Sequence, residues 1–487
     1  MGAGDGPCSH SPRSAGHRLL EQGRPSATAN LVEVSRERKT PSSATLGLRA
    51  RLAAAAAAGL VALIPSTVVT HAQAPPVRFP ATEADYLPQI ENLRYSALTP
   101  AGKETGKATW RVVKDTGNCC ENYLLATPQG RLLDFGGTYA RFTDDAGLKW
   151  KEVRPIEPLV SGEGGISYAP NGDIVGMTWD PYSGDHIVTF KYEAADKTWY
   201  SSETKLHTPF YDRPWHGVIE GPFDVGGQIY PYISVIMSNY LVGRELYMVS
   251  TDGLNYFIPN ARWIERRLGV VQKLEMKDDP WVDYGQPQVE SGLTPLPGGG
   301  ALAADYVALS LGQAETRAYL KPPRFKWSDH EMPQQSGRIL ADSRQRLHLV
   351  DAPIGAKSLT FKTSTDGGQQ WDSVKVPLLK GFVVEDMDFK VNAALGISAV
   401  AIHAHHVKKN VDQDFVYRFD IKKPSPRLER IFKVGAGDKS VSSGVGADLR
   451  FDFATIAILP DGTIATSFVD STHLQPSVAI LIDEPGR

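Results

Sequence analysis

The feature that most constrains the fold of this 487-residue chain is a recurring hairpin. In each copy an alternating apolar run meets a tight turn of Pro, Asp or Asn with Gly, and a second apolar run follows. Clear copies are "YLLATPQGRLLDF", "ISYAPNGDIVGMTW", "TPLPGGGALAADY", "RILADSRQRLHLVD" and "ATIAILPDGTIATSFVD"; weaker ones are "GVIEGPFDVGGQIYPYISV" and "FKVNAALGISAVAIH". Because alternating runs between Gly and Pro turns predict strands, the chain is predicted to be all-β.

The copies recur at intervals of about 40 to 75 residues, the period expected of blade-like repeats. They begin near Glu121, Gly162, Asp212, Gln286, Ser336, Asp386 and Phe453. Radial repetition of this kind predicts a β-propeller with one four-stranded blade per repeat. We expect seven blades; six blades, with one weak copy being an insertion, is the alternative.

Closure of the ring is also predicted from the sequence. The last repeat supplies three apolar runs, "ATIAILP", "GTIATSFVD" and "SVAILID", one strand short of a blade. The run "ATWRVVKD", Ala108 to Asp115, is expected to complete that blade and to cover its open edge. A single propeller domain is therefore predicted over 108–487, with 75–107 as an N-terminal extension.

The N-terminal region has the pattern of a secretory leader. Arg49 and Arg51 precede an Ala/Leu/Val run at 52–64, and Ala72-Gln73-Ala74 follows as an A-x-A cleavage site. The pattern predicts cleavage after Ala74, secretion of the protein and no membrane span after removal of the leader at 1–74. A spanning helix is the alternative, which Pro65 and the short apolar run disfavour.

Cysteine content and charge narrow the class of protein further. Cleavage leaves Cys119 and Cys120 as the remaining cysteines, so no disulfide framework is expected; this pair forms a vicinal disulfide or stays as two thiols. The net charge of −3 and the scattered Lys and Arg argue against a nucleic-acid partner.

A second motif, "STDGGQQW" at 364–371, is repeated as "TDDAGLKW" at 143–150. Ser250 to Phe257 is a weaker copy without the usual Gly, and 196–199 is weaker still. The pattern S/T-x-D-x-G-x-x-W resembles the Asp box, or BNR repeat, of the sialidase superfamily. The resemblance implies a propeller in which these turns lie at the end opposite the ligand site.

We call the end of the blades with the tight turns the turn end, and the opposite end, where first strands begin and second strands finish, the mouth end. Acids, histidines, tyrosines and arginines are predicted at the mouth end, a composition that suits recognition of a polyhydroxylated or charged sugar. Those before first strands are Glu121, Glu163, Asp212, Arg213, His216, Gln288, Arg338, Glu385, Asp386, Asp388, Arg450 and Asp452. Those after second strands are Asp134, Asp180, Tyr182, Asp185, Asn239, Tyr240, Asp305, Tyr306, Asp351, His403, His405, His406, Asp470 and His473.

Roles follow from residue type and from the resemblance. The candidate catalytic residues are Asp212, His216, Asp180, Asp386 and Tyr240, and the candidate substrate-binding residues are Arg213, Arg338, Arg450, His403 and Glu121. The resemblance implies three arginines on a substrate carboxylate, an Asp as acid/base and a Tyr activated by a Glu as nucleophile. The first repeat departs from it, because Cys120, Glu121 and Asn122 stand where the family has an Arg-Ile-Pro signature.

Three functions are compatible with these residues. A secreted, sialidase-like glycoside hydrolase using mouth-end carboxylates as general acid and base is favoured, with a glycan or polysaccharide as partner. The first alternative is a non-catalytic propeller that binds glycan or protein. The second is a polysaccharide lyase with His216, His403 and Tyr240 as candidate bases. His403 and His405 share one face of a strand, and Asp386 or Asp388 is the candidate third ligand of a metal site. Histidines in an exposed loop are more often solvated, so no metal or cofactor is expected.

Overall fold

The computed structural model describes residues 78–485 with gaps, and the described residues lie in one compact unit. The gaps are 115–122, 137–138, 156–162, 180–185, 206–211, 226–227, 241–243, 257–280, 284–291, 296–300, 306–314, 320–326, 332–336, 343, 345, 354, 367–369, 440–453 and 470–475. The backbone alone is described in 136, 163–164, 179, 186, 204–205, 212–215, 219–225, 228, 235–240, 244–249, the strands between 281 and 331, 337–339, 341, 438–439, 469 and 476.

The described residues form 31 strands joined by turns and loops, and no α-helix occurs among them. Within this part of the chain there is consequently no helix that is long and apolar enough to cross a membrane. The prediction of an all-β chain is confirmed. All strand pairs among the described residues are antiparallel, as between Ile174–Trp179 and His186–Glu193 or between Ile397–His406 and Val411–Asp420.

Sheets I and II each have five strands, the outermost coming from the N-terminal segment. That segment holds β1 (Phe79–Pro80), β2 (Thr82–Tyr86), β3 (Gln89–Leu98) and β4 (Glu104–Lys114). Sheet I holds β5 (Tyr123–Ala126), β6 (Leu132–Gly136), β7 (Tyr139–Thr143), β8 (Trp150–Arg154) and then β2. Sheet II holds β9 (Glu163–Tyr168), β10 (Ile174–Trp179), β11 (His186–Glu193), β12 (Thr198–Lys205) and then β1.

Sheets III, IV and V are four-stranded meanders. Sheet III holds β13 (Asp212–Val225), β14 (Gln228–Tyr240), β15 (Arg244–Ser250) and β16 (Trp281–Asp283). Sheet IV holds β17 (Gly292–Pro295), β18 (Ala301–Asp305), β19 (Glu315–Tyr319) and β20 (Trp327–Glu331). Sheet V holds β21 (Gly337–Ala341), β22 (Leu347–Asp351), β23 (Ser358–Ser364) and β24 (Asp372–Pro377).

Sheet VI has nine strands and consists of two meanders joined through β3 and β4. Its first half holds β25 (Phe382–Asn392), β26 (Ile397–His406), β27 (Val411–Asp420) and β28 (Arg427–Lys439). Its second half holds β29 (Ile456–Ile458), β30 (Ile464–Val469) and β31 (Pro476–Asp483), followed by β4 and β3.

The N-terminal segment adds a strand to the last repeat, as the sequence predicts, and also adds strands to other sheets. β4 pairs with β31, with Val113 opposite Val478 and Trp110 opposite Leu481. β4 begins at Glu104 instead of Ala108, and three further strands of the predicted extension join sheets. β1 pairs with β12 and β2 with β8 as outermost strands, and β3 lies between β28 and β4. These pairings cover backbone edges that would otherwise be open to other chains.

The first strands of consecutive meanders contact one another. β5 contacts β9, and contacts continue through β13, β17, β21 and β25 to β29, which returns to β5. Apolar side chains fill the spaces between neighbouring meanders: Phe135 and Phe190 between sheets I and II lie 5.5 Å apart edge-to-face, and Phe361 stacks on Phe419 at 4.7 Å between sheets V and VI. Burial of each such ring stabilises the packing between neighbouring sheets by about 1.5–3 kcal/mol.

The turn end repeats one geometry. At Gly130, Gly172 and Gly462, in the hairpins β5–β6, β9–β10 and β29–β30, φ is 91°, 94° and 90°, values that favour glycine. The strand register places Leu132 opposite Thr143, so the first predicted Asp-box turn lies beside the β5–β6 turn. The two kinds of turn therefore share one end, and the mouth end is the other one.

Candidate functional site

Several predicted site residues are not placed in side-chain detail. Glu121, Asp180 and Arg450 lie outside the described residues, as do Cys119 and Cys120. Of four others the backbone alone is described: Asp212 and Arg213 begin β13, Tyr240 ends β14 and Arg338 lies in β21. Convergence of Arg213, Arg338 and Arg450 on a substrate carboxylate therefore stays a prediction.

His216 lies in a closed network between sheets II and III. Its Nδ1 is 2.9 Å from Ser167 Oγ, and its Nε2 is 2.8 Å from Ser234 Oγ and 2.9 Å from the Tyr256 hydroxyl. Because Ser167 donates its proton to the His216 carbonyl oxygen, the ring donates through Nδ1–H and accepts at Nε2. Burial lowers the pKa of His216 to about 3. The imidazole is therefore neutral and fully hydrogen-bonded, the environment of a structural histidine.

The predicted Asp-box turns use their aspartates on their own backbone. Asp145 Oδ1 accepts the backbone N–H groups of Leu148 and Lys149 at 3.0 and 2.9 Å and the hydroxyl of Thr143 at 2.9 Å. Trp150 is 2 % exposed and donates its Nε1–H to the carbonyl oxygen of Gly147. These side chains fasten a turn, as expected of groups at the turn end.

The copy at Ser250 has Leu254 where the pattern has Gly, but the preceding residue takes over the role of that glycine. Gly253 has φ of 75° and donates its N–H to Ser250 Oγ at 2.9 Å, the contact that Gly147 makes with Thr143 at 3.0 Å. The turn is one residue shorter than the pattern, and buried Tyr256 takes the aromatic position.

Asp386, a predicted catalytic residue, lies near the start of β25 at the mouth end. Its Oδ2 accepts the backbone N–H of Ala454 at 2.6 Å, and Oδ2 of Asp388 accepts that of Ile456 at 3.1 Å. Both carboxylates thus connect the two halves of sheet VI. Hydrogen bonds from backbone N–H groups favour the ionised form of a carboxylate.

His403 lies in a buried ion pair at the mouth end of sheet VI. Its Nδ1 is 2.8 Å from Asp414 Oδ1, and its Nε2 is 3.7 Å from Glu385 Oε2. Burial lowers the pKa of His403, but the carboxylates of Asp414, Asp412 and Glu385 outweigh burial and raise it to about 9. The imidazole is therefore protonated at neutral pH.

A second His–Asp pair lies beside the first. His405 Nδ1 is 2.7 Å from Asp412 Oδ1, on the same face of β26 and β27 as the His403–Asp414 pair. Glu385 completes a group with His405 and Asp412, whose ligand atoms all lie within 4.8 Å of one another. The sequence analysis named both histidines and Glu385 as mouth-end residues but did not find their aspartate partners, which depend on the register of β27.

Asp351 is a buried mouth-end carboxylate whose pKa is raised. It ends β22, is 9 % exposed, and its Oδ1 has no hydrogen-bond partner. Burial raises the pKa of Asp351 to about 6, although Lys362 and Lys375 oppose the shift. Sequence reasoning placed Asp351 at the mouth end without assigning it a role, because burial without a partner is a property of the folded chain.

The loop after Asp351 is fixed against the beginning of β25. Gly355 donates its N–H to the Val384 carbonyl oxygen at 2.7 Å, and Val384 donates to Ala356 at 2.9 Å. Val384 precedes Glu385, so this loop connects the end of β22 to the start of β25. These two hydrogen bonds connect the segment after Asp351 to the residue that precedes Glu385.

Comparison with protein-family models and with curated protein sequences gave no match. Among solved structures, the α-L-arabinanase of Penicillium chrysogenum complexed with arabinobiose has TM-score 0.36 and 11% identity, over 68% of this chain and 99% of that one. The phage phi92 endosialidase has TM-score 0.39 and 8% identity, over 82% and 70%. A chain of the mitotic checkpoint complex has TM-score 0.41 and 9% identity, over 82% and 98%. These values are too low to carry a conclusion about this chain.

Proposed function

We propose that this chain is a secreted, carbohydrate-active β-propeller that hydrolyses a glycosidic bond at its mouth end. The leader pattern at 1–74 supports secretion, and the polar mouth end supports a sugar as partner. The sialidase-like character rests on the Asp-box resemblance of 143–150 and 364–371. Fold alone does not choose among the functions that propellers carry, so the site must carry the proposal.

We infer seven blades for this propeller. The ring of contacts runs through the first strands of sheets I to V and of the two halves of sheet VI. In the second half, β4 takes the fourth position beside β31, which gives that half the strands of a complete blade. Closure by strands from both ends of the chain hides the edges at the point where the ring begins and finishes.

The observation that carries the hydrolase proposal is Asp351. A glycosidase needs one protonated carboxylic acid for the leaving oxygen, and proteins provide it by burying a carboxyl group away from charge partners. Asp351 is buried, lies at the mouth end and leaves Oδ1 without a partner. The raised pKa of Asp351, about 6, agrees with that role.

The second group that hydrolysis requires is an ionised carboxylate, for which Asp386 is our candidate. The backbone N–H of Ala454 holds one of its oxygens at 2.6 Å, and the residue is partly exposed at the start of β25. Two carboxyl groups in opposite environments are the arrangement by which one site provides both an acid and a base or nucleophile.

The lyase alternative receives less support from the described histidines. A lyase needs a neutral base, whereas His403 is protonated at neutral pH by its carboxylate neighbours. His216 is neutral, but both of its nitrogens are hydrogen-bonded within the closed network. The binding alternative differs from the hydrolase in needing no acid of raised pKa.

The test is turnover of a panel of fluorogenic glycosides and acidic polysaccharides by the full chain expressed for secretion. We expect hydrolysis of at least one substrate, a mature N-terminus at Pro75, and loss of activity by about 100-fold or more in Asp351→Asn, the range that general acid catalysis contributes. Asp144→Asn is the matched control, because Asp144 is 58% exposed at the turn end; its activity should not change.

Three outcomes would overturn the proposal. Full activity of Asp351→Asn would show that Asp351 is not the general acid. Absence of turnover together with glycan-array binding would favour the non-catalytic propeller. An unsaturated product, detected by ultraviolet absorbance, would favour the lyase.

A further inference from the structure

The mouth end of sheet VI contains a mixed group of ligands that hydrolysis by Asp351 and Asp386 does not use. Glu385, His405 and Asp412 come from three adjacent strands, β25, β26 and β27. All three are half-buried, so they are shielded from bulk water without being sealed off. Imidazole nitrogen with two carboxylate oxygens is a donor set that suits a first-row divalent cation such as Zn²⁺.

The distances fit a small cation. Zn²⁺ binds nitrogen and oxygen at about 2.0–2.2 Å, so tetrahedral ligand atoms lie about 3.3 Å apart. His405 Nδ1 lies 2.7 Å from Asp412 Oδ1, and the three ligand atoms all lie within 4.8 Å of one another. The 2.7 Å contact is shorter than the required separation and 4.8 Å is the outer limit for the group, so rotation of the side chains is needed to place all three atoms on one ion.

The backbone is irregular at the residues concerned. The register of β25 with β26 shifts between Val384 and Asp386, which makes Glu385 the bulged residue. The register of β27 with β28 shifts between Asp412 and Asp414. The extra residues of this second irregularity lie on β28, opposite the segment from Asp412 to Asp414. Bulges re-aim side chains and recur beside functional sites, and Glu385 is itself the extra residue of one.

The neighbouring pair supports the same group. His403 lies between Asp414 at 2.8 Å and Glu385 at 3.7 Å, so Glu385 is held near His405 by a contact of its own. Among the ion pairs of described residues, Asp412 and Asp414 are paired with the imidazoles of His405 and His403 and with no Lys or Arg. A cation placed here would meet the carboxylate of Asp412, whose ion pair is with an imidazole.

We propose that Glu385, His405 and Asp412 bind one Zn²⁺ ion at the mouth end of the chain. The three residues supply three protein ligands, which leaves a fourth position for water or a sugar hydroxyl, the coordination of an open zinc site. His403 and Asp414 are positioning residues that orient Glu385. This site differs from the expectation of no metal, which took the histidines to be solvated, because His405 is paired with Asp412 on β27.

Equilibrium dialysis of the full chain against Zn²⁺, with bound metal measured by mass spectrometry, tests the site without any substrate. We expect about one Zn²⁺ per chain, and affinity at least about tenfold weaker in Glu385→Gln, His405→Gln and Asp412→Asn, because even groups behind the ligands contribute this much. Asp420→Asn and Glu429→Gln are matched controls, since Asp420 lies on β27 with Asp412 and Glu429 on β28, both near the other end of their strands. The controls should bind Zn²⁺ like the unmodified chain.

A second measurement covers variants that fold poorly. Co²⁺ added to the unmodified chain should give visible d–d absorption that Zn²⁺ displaces, and Glu385→Gln should lack it. Equal Zn²⁺ affinity in the unmodified chain and all three variants would overturn the proposal by placing the metal elsewhere. Absence of Zn²⁺ binding, or binding of Ca²⁺ alone, would also overturn it, because an imidazole ligand favours the softer ion. Hydrolysis plays no part in these readouts, so the two proposals fail separately.

Discussion

Two buried aspartates of sheet V, Asp342 at the turn end and Asp351 at the mouth end, have opposite environments. Asp342 Oδ1 accepts the backbone N–H groups of Arg344 and Arg346 at 2.8 and 3.1 Å. Its Oδ2 is 2.7 Å from Arg346 Nε and 2.9 Å from His348 Nε2. Asp351 is similarly buried, yet its Oδ1 has no hydrogen-bond partner.

The pKa values of the two carboxyl groups move apart accordingly. Burial raises the pKa of Asp342, but hydrogen bonds from His348, Arg346 and Arg344 outweigh it and hold the pKa well below its usual range. Burial raises the pKa of Asp351 to about 6 without comparable compensation. A satisfied carboxylate stabilises the fold, whereas an unsatisfied one costs stability and marks a functional candidate. The turn end fastens the sheets, and the mouth end holds the carboxyl group to which we assign the proposed acid chemistry.

Among the variants considered, removal of the Asp342 carboxylate should lower the free energy of unfolding most. Asp342→Ala leaves Arg346 and His348 buried without their carboxylate, and we expect a loss of about 3–5 kcal/mol in the free energy of unfolding. Urea unfolding measures it. Asp420→Ala is the control, with an expected loss below about 1 kcal/mol because its ion pair with Arg427 is exposed. Similar losses in both variants would contradict the assignment of Asp342 to the fastening network.

Acid should weaken the fold through His216. The pKa of His216 is lowered from 6.5 to about 3, so between these values the unfolded chain binds a proton that the folded chain does not. Stability is therefore highest above the unfolded value and falls with decreasing pH, by about 1.4 kcal/mol per pH unit at most. From about pH 6 to about pH 4 we expect a loss of about 2–3 kcal/mol from this group. Urea unfolding across this pH range measures the slope.

The variant His216→Gln isolates that contribution. It keeps hydrogen-bonding capacity toward Ser167 and Ser234 but does not titrate, so its stability should depend less on pH by the same amount. An unchanged slope would show that other groups set the acid sensitivity. His403 cannot replace His216 in this experiment. The pKa of His403 is raised, so its contribution to stability is lost as pH rises and not as pH falls.

Asp351→Asn should stabilise the fold while removing the proposed activity. Above about pH 6 the folded chain holds an ionised carboxylate that burial disfavours, and the neutral amide avoids this cost. We expect the free energy of unfolding to rise by about 1–2 kcal/mol at pH 7. This is less than the free energy equivalent to the whole pKa shift, because part of the side chain relaxes toward water. The gain should shrink as pH falls through 6 toward 3.8, since both states then bind the proton. A loss of stability at pH 7 would show that the carboxylate has a partner it needs.

The sequence predicts the repeated parts of this fold and not the tertiary contacts between them. The hairpins at Gly130, Gly172 and Gly462 and the pairing of β4 with β31 follow from local pattern and from the need to cover an edge. The pairing of β1 with β12 was not foreseen, because two residues, Phe79 and Pro80, carry no strand signal of their own.

For the candidate site, the residue types at the mouth end can be predicted from the sequence, but the protonation states of these residues cannot. His403 and His405 were named from their spacing, yet Asp414 and Asp412 join them through the register of β27. Asp351 and His216 were both placed at the mouth end by position along a strand. One is buried without a partner and the other lies in a closed network, a difference that depends on neighbours from other sheets.

The smallest effect is expected at the first predicted Asp-box turn. Asp145 Oδ1 accepts the backbone N–H groups of Leu148 and Lys149 and the Thr143 hydroxyl, and although burial opposes ionisation, these bonds hold the pKa of Asp145 below its usual value. Asp145→Asn keeps one acceptor oxygen, so the free energy of unfolding should fall by about 0.5–1.5 kcal/mol, the net contribution of a hydrogen bond. Activity and Zn²⁺ binding should stay at the level of the unmodified chain, since the turn end is remote from both sites by topology. Reduced Zn²⁺ affinity or reduced turnover in this variant would contradict the assignment of a structural role to the turn end and of both proposed sites to the mouth end. It would show that a turn of sheet I affects sites that we assign to sheets V and VI.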